Sequence, residues 1–259
     1  MASNPTTNPQ YRDYDKIYLL GDSITERSFD QTRGFGSGAQ LLHSYARRLD
    51  VLNRGFSGYN TAHALRILPE IIPSPDVYKI KLLVVFYGAN DAVLPDQPQH
   101  VALDEYKQNL KKIIHHPLIQ AHQPNIILIV PPPISEYATQ ESDALKGIKV
   151  VQRIAENTKL YADGALEVAN ELKIPTVNLW AEFMAFAGWN GDLSAPLPGS
   201  KKIARDTKLE ELFCDGLHFN PAGYEILYRC LMKLIENQFP ELLPESLPMV
   251  HPHFSIAPR

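Results

Sequence analysis

The sequence predicts a three-layer α/β/α sandwich built on a mostly parallel five-stranded sheet. Two observations carry that prediction. Short apolar runs alternate along the chain with longer stretches whose apolar residues recur at helical spacing. The strongest short runs, Lys81–Phe86 (KLLVVF) and Asn125–Val130 (NIILIV), are almost continuously apolar, as expected of strands covered on both faces. A chain of 259 residues is long enough for one large domain of this kind.

Lys16–Leu20 reads as the first strand. Gln40–Leu49 has apolar residues at 41, 42, 45, 46 and 49, a helical spacing. Asp50–Arg54 is a short second strand, and Thr61–Ile72 a helix that Pro73 stops. Lys81–Phe86 is the third strand, Leu103–His115 a helix, and Asn125–Val130 the fourth strand, ended by three prolines. Ala144–Leu172 reads as one long helical region, weakened at Gly147 and Gly164. Pro175–Leu179 is the fifth strand. Pro221–Glu236 is the last helix, with Asn220 as N-cap and Pro221 at its first position. Ala185–Leu209 breaks the rhythm with Gly188, Gly191, Pro196, Pro198 and Gly199, and reads as a long loop, a candidate lid. Residues 1–239 are expected to form one domain, and the proline-rich tail 240–259 to pack on it or on a partner subunit. Right-handed crossovers place all strand carboxyl ends on one rim, where such sheets bind ligands.

The formal net charge of −4, without long charged runs, argues against a nucleic-acid partner. The longest aliphatic run, Ile126–Val130, is far shorter than the ~20 residues a membrane span needs. The first fifteen residues are polar and lack the apolar core of a secretion signal. The single Asn-x-Thr sequon, Asn4-Pro5-Thr6, is blocked by its proline. Cys214 and Cys230 make no disulfide framework for a chain of this size, so two reduced thiols in a cytoplasmic protein are expected, a Cys214–Cys230 bridge being the alternative.

Chemistry concentrates at the strand ends. The first strand runs into Gly21-Asp22-Ser23, which places the Ser23 hydroxyl on the rim. The plain alternative is a helix start, with Asp22 or Ser23 as cap and Glu26 completing a capping box. The second strand leads to Gly58 and the third to Asn90. Either could be an ordinary turn residue. Together with the Ser23 backbone N–H, the Gly58 N–H and the Asn90 amide are three donors beside one hydroxyl, the composition of an oxyanion hole. A serine nucleophile needs a base, and the base an orienting acceptor. Asp215 and His218, three apart around Gly216, can supply both from one loop.

Four blocks in this order, Gly21-Asp22-Ser23, Gly58, Gly88-x-Asn90-Asp91 and Asp215-x-x-His218, resemble the SGNH hydrolases, also called the GDSL esterase and lipase family. The stretches Asn53–Thr61, Phe86–Ala92 and Leu247–Val250 are similar to its isoamyl-acetate-hydrolysing esterase branch. The resemblance implies a flavodoxin-like sheet and hydrolysis of short acyl esters of alcohols through an acyl-enzyme. It implies Ser23 as nucleophile, His218 as base and Asp215 as its orienter, with Ser23, Gly58 and Asn90 forming the oxyanion hole. No metal or other cofactor is implied. The partner is a small-molecule ester, and the branch tends to form dimers. Thioesterase, lysophospholipase or carbohydrate acetylesterase activity is the alternative on the same fold, and a non-catalytic ligand-binding module a more distant one. Ile24 stands where the family usually has leucine, and the Ala185–Leu209 loop is long for the branch.

Other signals are weaker. Ser57 sits in Gly55-x-Ser57-Gly58, but Tyr59 takes the last glycine position of a nucleophile elbow. Gly34–Gly38 lacks the spacing and the preceding strand of a dinucleotide loop. His115, His116, His122, His251 and His253 show no metal-ligand spacing. Trp180 and Trp189 fit either the core or a pocket wall.

Overall fold

The computed structural model describes residues 13–256. The blocked sequon and most of the polar N-terminal stretch lie outside the described residues, as do the last three residues of the tail. In chain order the elements are β1 (Lys16–Gly21), α1 (Ser23–Glu26), α2 (Ser37–Ser44), β2 (Asp50–Gly55), α3 (Thr61–Ile71), β3 (Ile80–Phe86), α4 (Leu103–Ile114) and α5 (Pro117–His122). There follow β4 (Asn125–Ile129), α6 (Glu136–Leu145), α7 (Ala155–Leu172), β5 (Thr176–Val177), α8 (Leu179–Phe186), α9 (Thr207–Glu210) and α10 (Pro221–Gln238). The five strands are parallel in the order β2-β1-β3-β4-β5, the flavodoxin-like order the resemblance implies.

Strand alternation sorts the apolar side chains into two cores. Ile17 and Leu19 of β1, Leu82, Val84 and Phe86 of β3, and Ile127 and Ile129 of β4 join the core that holds Leu41 of α2, Phe183 of α8 and Leu227 of α10. Tyr18 and Leu20, Leu83 and Val85, and Leu128 join the opposite core, with Leu68 of α3, Leu110 of α4 and Ala165 of α7. Both faces are therefore dry, which is why these strands read as unbroken apolar runs. Trp180 belongs to the second core, edge-on to Trp189 with ring centroids 5.2 Å apart.

The order reverses direction at β1: the chain goes to β2 on one side and then to β3 on the other. A crevice opens at such a switch point, beyond the strand carboxyl ends. The residues after β1 and β3, Ser23 and Asn90, border it.

Three sequence expectations need correction. The region Ala144–Leu172 is two elements, because α6 ends at Leu145 and α7 begins at Ala155. Gly147, at φ +78°, ends the first helix, and residues 146–154 form a connecting loop. The second helix runs over Ser37–Ser44 rather than 40–49. Tyr45 and Leu49 keep helical spacing because they are buried from the turn that follows. The fifth strand is only Thr176–Val177, since Asn178 accepts the Ala181 N–H (3.1 Å) and starts α8 at Leu179.

The tail returns to the turn that follows α2. Leu242 enters the first core, Val250 N–H bonds the Arg47 carbonyl (2.9 Å), and Arg48 Nε donates to the Leu247 carbonyl (3.2 Å). Among the described residues no helix is long and apolar enough to cross a membrane, and Cys214 and Cys230 are free thiols.

Candidate active site

The abrupt end of β1 has a local cause. Asp22 is the N-cap of α1, its Oδ1 accepting the Ile24 N–H at 2.9 Å, and Ser23 is the first helical residue. The cap reading and the chemical reading of Gly21-Asp22-Ser23 thus describe neighbouring residues of one turn. Glu26 does not complete a capping box. Its Oε2 accepts the Ser57 N–H at 2.6 Å, and its carbonyl accepts from Asn53 Nδ2 at 2.9 Å. These bonds fasten the turn after β1 to the turn after β2. Tyr224 of α10 donates to the Ile24 carbonyl at 2.8 Å, which ties the helix following His218 to the helix carrying Ser23.

Residues 213–219 form a closed loop. Phe213 and Phe219 pair across it, and the Cys214 N–H bonds the His218 carbonyl at 2.8 Å. Gly216 sits at φ +82°, and a Cβ there would lie 2.6 Å from Thr139 N and 2.7 Å from the Ser135 carbonyl. Only glycine combines that backbone with that clearance. Asp215 Oδ1 accepts the N–H groups of Leu217 (3.1 Å) and His218 (2.8 Å). Its Oδ2 faces His218 Nδ1 at 2.7 Å, and His218 Nε2 lies 2.8 Å from Ser23 Oγ. Burial alone would raise the Asp215 pKa. The hydrogen bond and charge of His218 and the two backbone N–H groups outweigh burial and hold the carboxyl well below its ordinary range. Asn220 is the N-cap residue of α10, without a side-chain cap bond, and its Nδ2 donates to the Phe213 carbonyl (2.6 Å), closing this loop.

Gly58 and Asn90 complete the set. Gly58, at φ +81°, has its carbonyl held by Gln99 Nε2 at 2.7 Å. Asn90 Nδ2 donates to the Tyr59 carbonyl (2.9 Å), and its Oδ1 accepts from Arg153 Nη2 (3.2 Å). Ser23, Gly58, Asn90, Asp215 and His218 all border one cavity of about 240 Å³. Ser57 borders it too, but no imidazole among the described residues bonds its hydroxyl. The Ala185–Leu209 loop contributes nothing to the lining. The wall comes instead from Thr139, Ser142 and Asp143 on α6 and from Lys146, Ile148, Gln152 and Arg153 on the loop after it. Gln99 and Arg153 carry no motif and escape a reading of the sequence.

The histidines outside the site have other work. Buried His122 accepts the Ile80 N–H at its Nδ1 (3.1 Å) and places Nε2 2.8 Å from the Pro73 carbonyl, pinning the start of β3. Among the described residues no group of three or more His, Cys, Asp or Glu could hold a metal ion.

Two carboxyls lie fully buried behind the site. Burial pushes Asp22 up to about 7; the Ile24 N–H offsets part of this and the Asp91 charge adds to it. Burial pushes Asp91 up to about 6, against the Thr61 hydroxyl and N–H, which bond its Oδ1 at 2.5 and 3.0 Å. Folded-state pKa values above the unfolded ones mean that the native state binds extra protons. The stabilisation from these groups is fully present below the ordinary value of 3.8 and is lost as pH rises toward 7. Asp22→Asn keeps an oxygen for the Ile24 N–H but removes the ionisation. Its stability relative to wild type should therefore rise between about pH 4 and about pH 7, as urea midpoints will show. A constant difference across that range would mean that Asp22 does not titrate there.

Comparisons with known proteins place the chain in a family. Residues 19–226 match the GDSL-like Lipase/Acylhydrolase family. The isoamyl acetate-hydrolyzing esterase of Saccharomyces cerevisiae is 32% identical, over 91% of this chain and 92% of its own. The human isoamyl acetate-hydrolyzing esterase 1 homolog is 34% identical, over 93% and 87%. A GDSL esterase/lipase of Arabidopsis thaliana is 33% identical, over 93% and 92%. Among solved structures, the lipase/acylhydrolase of Enterococcus faecalis superposes with a TM-score of 0.59 at 22% identity, covering 92% of this chain and 100% of that one. The acetylxylan esterase Axe2 of Geobacillus stearothermophilus gives 0.56 at 24%, covering 85% and 94%; both likenesses speak for the fold. With the family match spanning most of the chain and every block of its pattern gathered on one rim, the chain belongs to the GDSL-like lipase/acylhydrolase family and is a carboxylic ester hydrolase.

Proposed function

We propose that the chain hydrolyses short acyl esters of alcohols, acetates above all, with Ser23 as nucleophile. The observation that carries this reading is the unbroken relay from Asp215 through His218 to Ser23, with contacts of 2.7 and 2.8 Å. The ionised Asp215 carboxylate accepts from Nδ1, which leaves Nε2 free to take the Ser23 proton. Ser23 Oγ attacks the ester carbonyl. The N–H groups of Ser23 and Gly58 and the second Nδ2 hydrogen of Asn90 hold the oxyanion. His218 returns the proton to the leaving alcohol, and water repeats the sequence on the acyl-enzyme. The cavity supports small acyl groups: about 240 Å³, with Ile148 and Leu217 as its only aliphatic lining residues. Its polar wall of Thr139, Ser142, Lys146 and Gln152 supports a second reading, deacetylation of a hydroxylated alcohol such as a sugar.

Trypsin provides a direct test, because it separates the two candidate serines. Ser23 falls in the peptide 17–27 and Ser57 in the peptide 55–66. A fluorophosphonate probe should add its mass to 17–27 alone. Label on 55–66 would move the nucleophile to Ser57, and unmodified protein would favour a binding module. A panel of acetate, butyrate and octanoate esters should show kcat/KM falling with length, while a rise toward octanoate would point to a lysophospholipase. Glycerol or sugar acetates outpacing alkyl acetates would select the second reading.

A further inference from the structure

Arg153 is among the costlier residues in the molecule. Its side chain is 8% exposed, yet among the described residues no carboxylate lies within ion-pair distance. A buried guanidinium is expensive unless its hydrogen bonds are met. Here all of its acceptors are neutral: the Ala89 carbonyl at Nε (3.3 Å), Gln152 Oε1 at Nη1 (3.3 Å) and Asn90 Oδ1 at Nη2 (3.2 Å). Two of the three belong to the turn after β3. A fold seeking stability alone would place an apolar side chain at this position.

What the guanidinium supplies is polarity of a fixed sense. A carboxamide has two near-isosteric orientations, related by a half-turn that exchanges its oxygen and nitrogen. In one, Asn90 offers N–H to the cavity; in the other, it offers a second acceptor, which would repel an oxyanion. Arginine donates and never accepts, so it can bind only Oδ1. The Tyr59 carbonyl, 2.9 Å from Nδ2, accepts and never donates. Asn90 is thereby gripped from both ends in the sense that points its remaining hydrogen away from Tyr59. The side chain is 4% exposed, so water is poorly placed to take over either contact.

We propose that Arg153, which borders the same cavity, is a positioning residue for ester hydrolysis, acting through Asn90 by fixing the orientation of its amide. The inference rests on the reading of Asn90 as an oxyanion donor. It also explains why the loop 146–154 closes over the rim: that loop carries the clamp as well as part of the cavity wall. The Leu94 N–H bonds the Gln152 carbonyl at 2.8 Å, which holds the loop to the segment after β3.

A double-mutant cycle separates the two readings. Asn90→Ala alone should lower kcat by ~10²–10³, the usual loss for one oxyanion donor. If it does not, the Asn90 role fails and takes this inference with it. Given that loss, Arg153→Met should lower kcat by about 10-fold or more with KM changed less than about 3-fold, and Arg153→Lys, which keeps a donor, should fall between Met and wild type. Added to Asn90→Ala, either Arg153 change should cost almost nothing further, because the group it positions is gone. Thermal unfolding of each variant identifies those that fold. If Arg153→Met does not fold, Arg153→Lys decides on the same terms. Losses that multiply in the double variant would overturn the proposal and leave Asn90 standing, as would an unchanged kcat in whichever folded variant is used.

Discussion

Ser23→Ala should fold as the wild type does and lose about 10⁶-fold in kcat. The two halves of this expectation come from different atoms. The hydroxyl has a single hydrogen bond among the described residues, to His218 Nε2, and it heads a helix whose cap is Asp22. Removing it leaves the Asp22–Ile24 cap, the Glu26–Ser57 contact and the Tyr224–Ile24 contact in place. The stability cost should stay near the ~1 kcal/mol of one ordinary hydrogen bond. Catalysis has no such reserve. Without Oγ no acyl-enzyme forms, and the donors around the oxyanion can assist only direct attack by water, a residual of ~10³–10⁴ over the uncatalysed rate. Ser57→Ala is the control: its side chain borders the same cavity but has no base. Turnover of p-nitrophenyl acetate above about 1% of wild type in folded Ser23→Ala would refute the assignment, since triad knockouts leave far less.

The sequence is informative about this site for a physical reason. Each block marks a place where backbone geometry restricts the residue, and such restrictions are local. Gly58 and Gly216 hold positive φ angles that a side chain would strain, and Asp22 caps the turn that presents Ser23. Strands β1, β3 and β4 were legible because both of their faces are dry, so they read as apolar runs within a residue or two of their true ends. The clamps were not legible. Arg153 and Gln99 act across 63 and 41 residues of chain, in a contact that no local pattern encodes. The cavity wall was misplaced for a related reason. Glycine and proline marked Ala185–Leu209 as a loop but gave no sign of where it packs. Helical spacing carried the reading of Ala144–Leu172 straight through Gly147, hiding the loop that lines the site. Helix α6 was missed as well, although its cap is visible afterwards: Ser135 Oγ accepts the Ala138 N–H at 3.2 Å, ahead of a mostly polar run that carries little apolar periodicity.

Asp215→Asn is the sharper test of mechanism, because it alters one atom type and leaves the scaffold intact. The two carboxylate oxygens have different duties. Oδ1 is held by the N–H groups of Leu217 and His218, which accept no substitute for an oxygen. In the variant those N–H groups therefore keep the amide oxygen where Oδ1 was, and the NH2 group must occupy the Oδ2 position, facing His218 Nδ1. An amide nitrogen only donates there, so Nδ1 has to become the acceptor and the ring proton moves to Nε2. Nε2–H then points at Ser23 Oγ and cannot take its proton. The loss should be about 10⁴ in kcat, the scale known for a wrong-tautomer aspartate variant. Folding should be little affected, since both backbone contacts survive. A ¹⁵N spectrum of labelled histidine should show the pyrrole-type signal passing from Nδ1 to Nε2. Asp215→Ala, which imposes no tautomer, should retain more activity than Asp215→Asn despite losing more contacts. The reverse ranking in two folded variants would mean that Asp215 serves His218 mainly through its charge, and that the orientation enforced by Leu217 and His218 N–H is incidental.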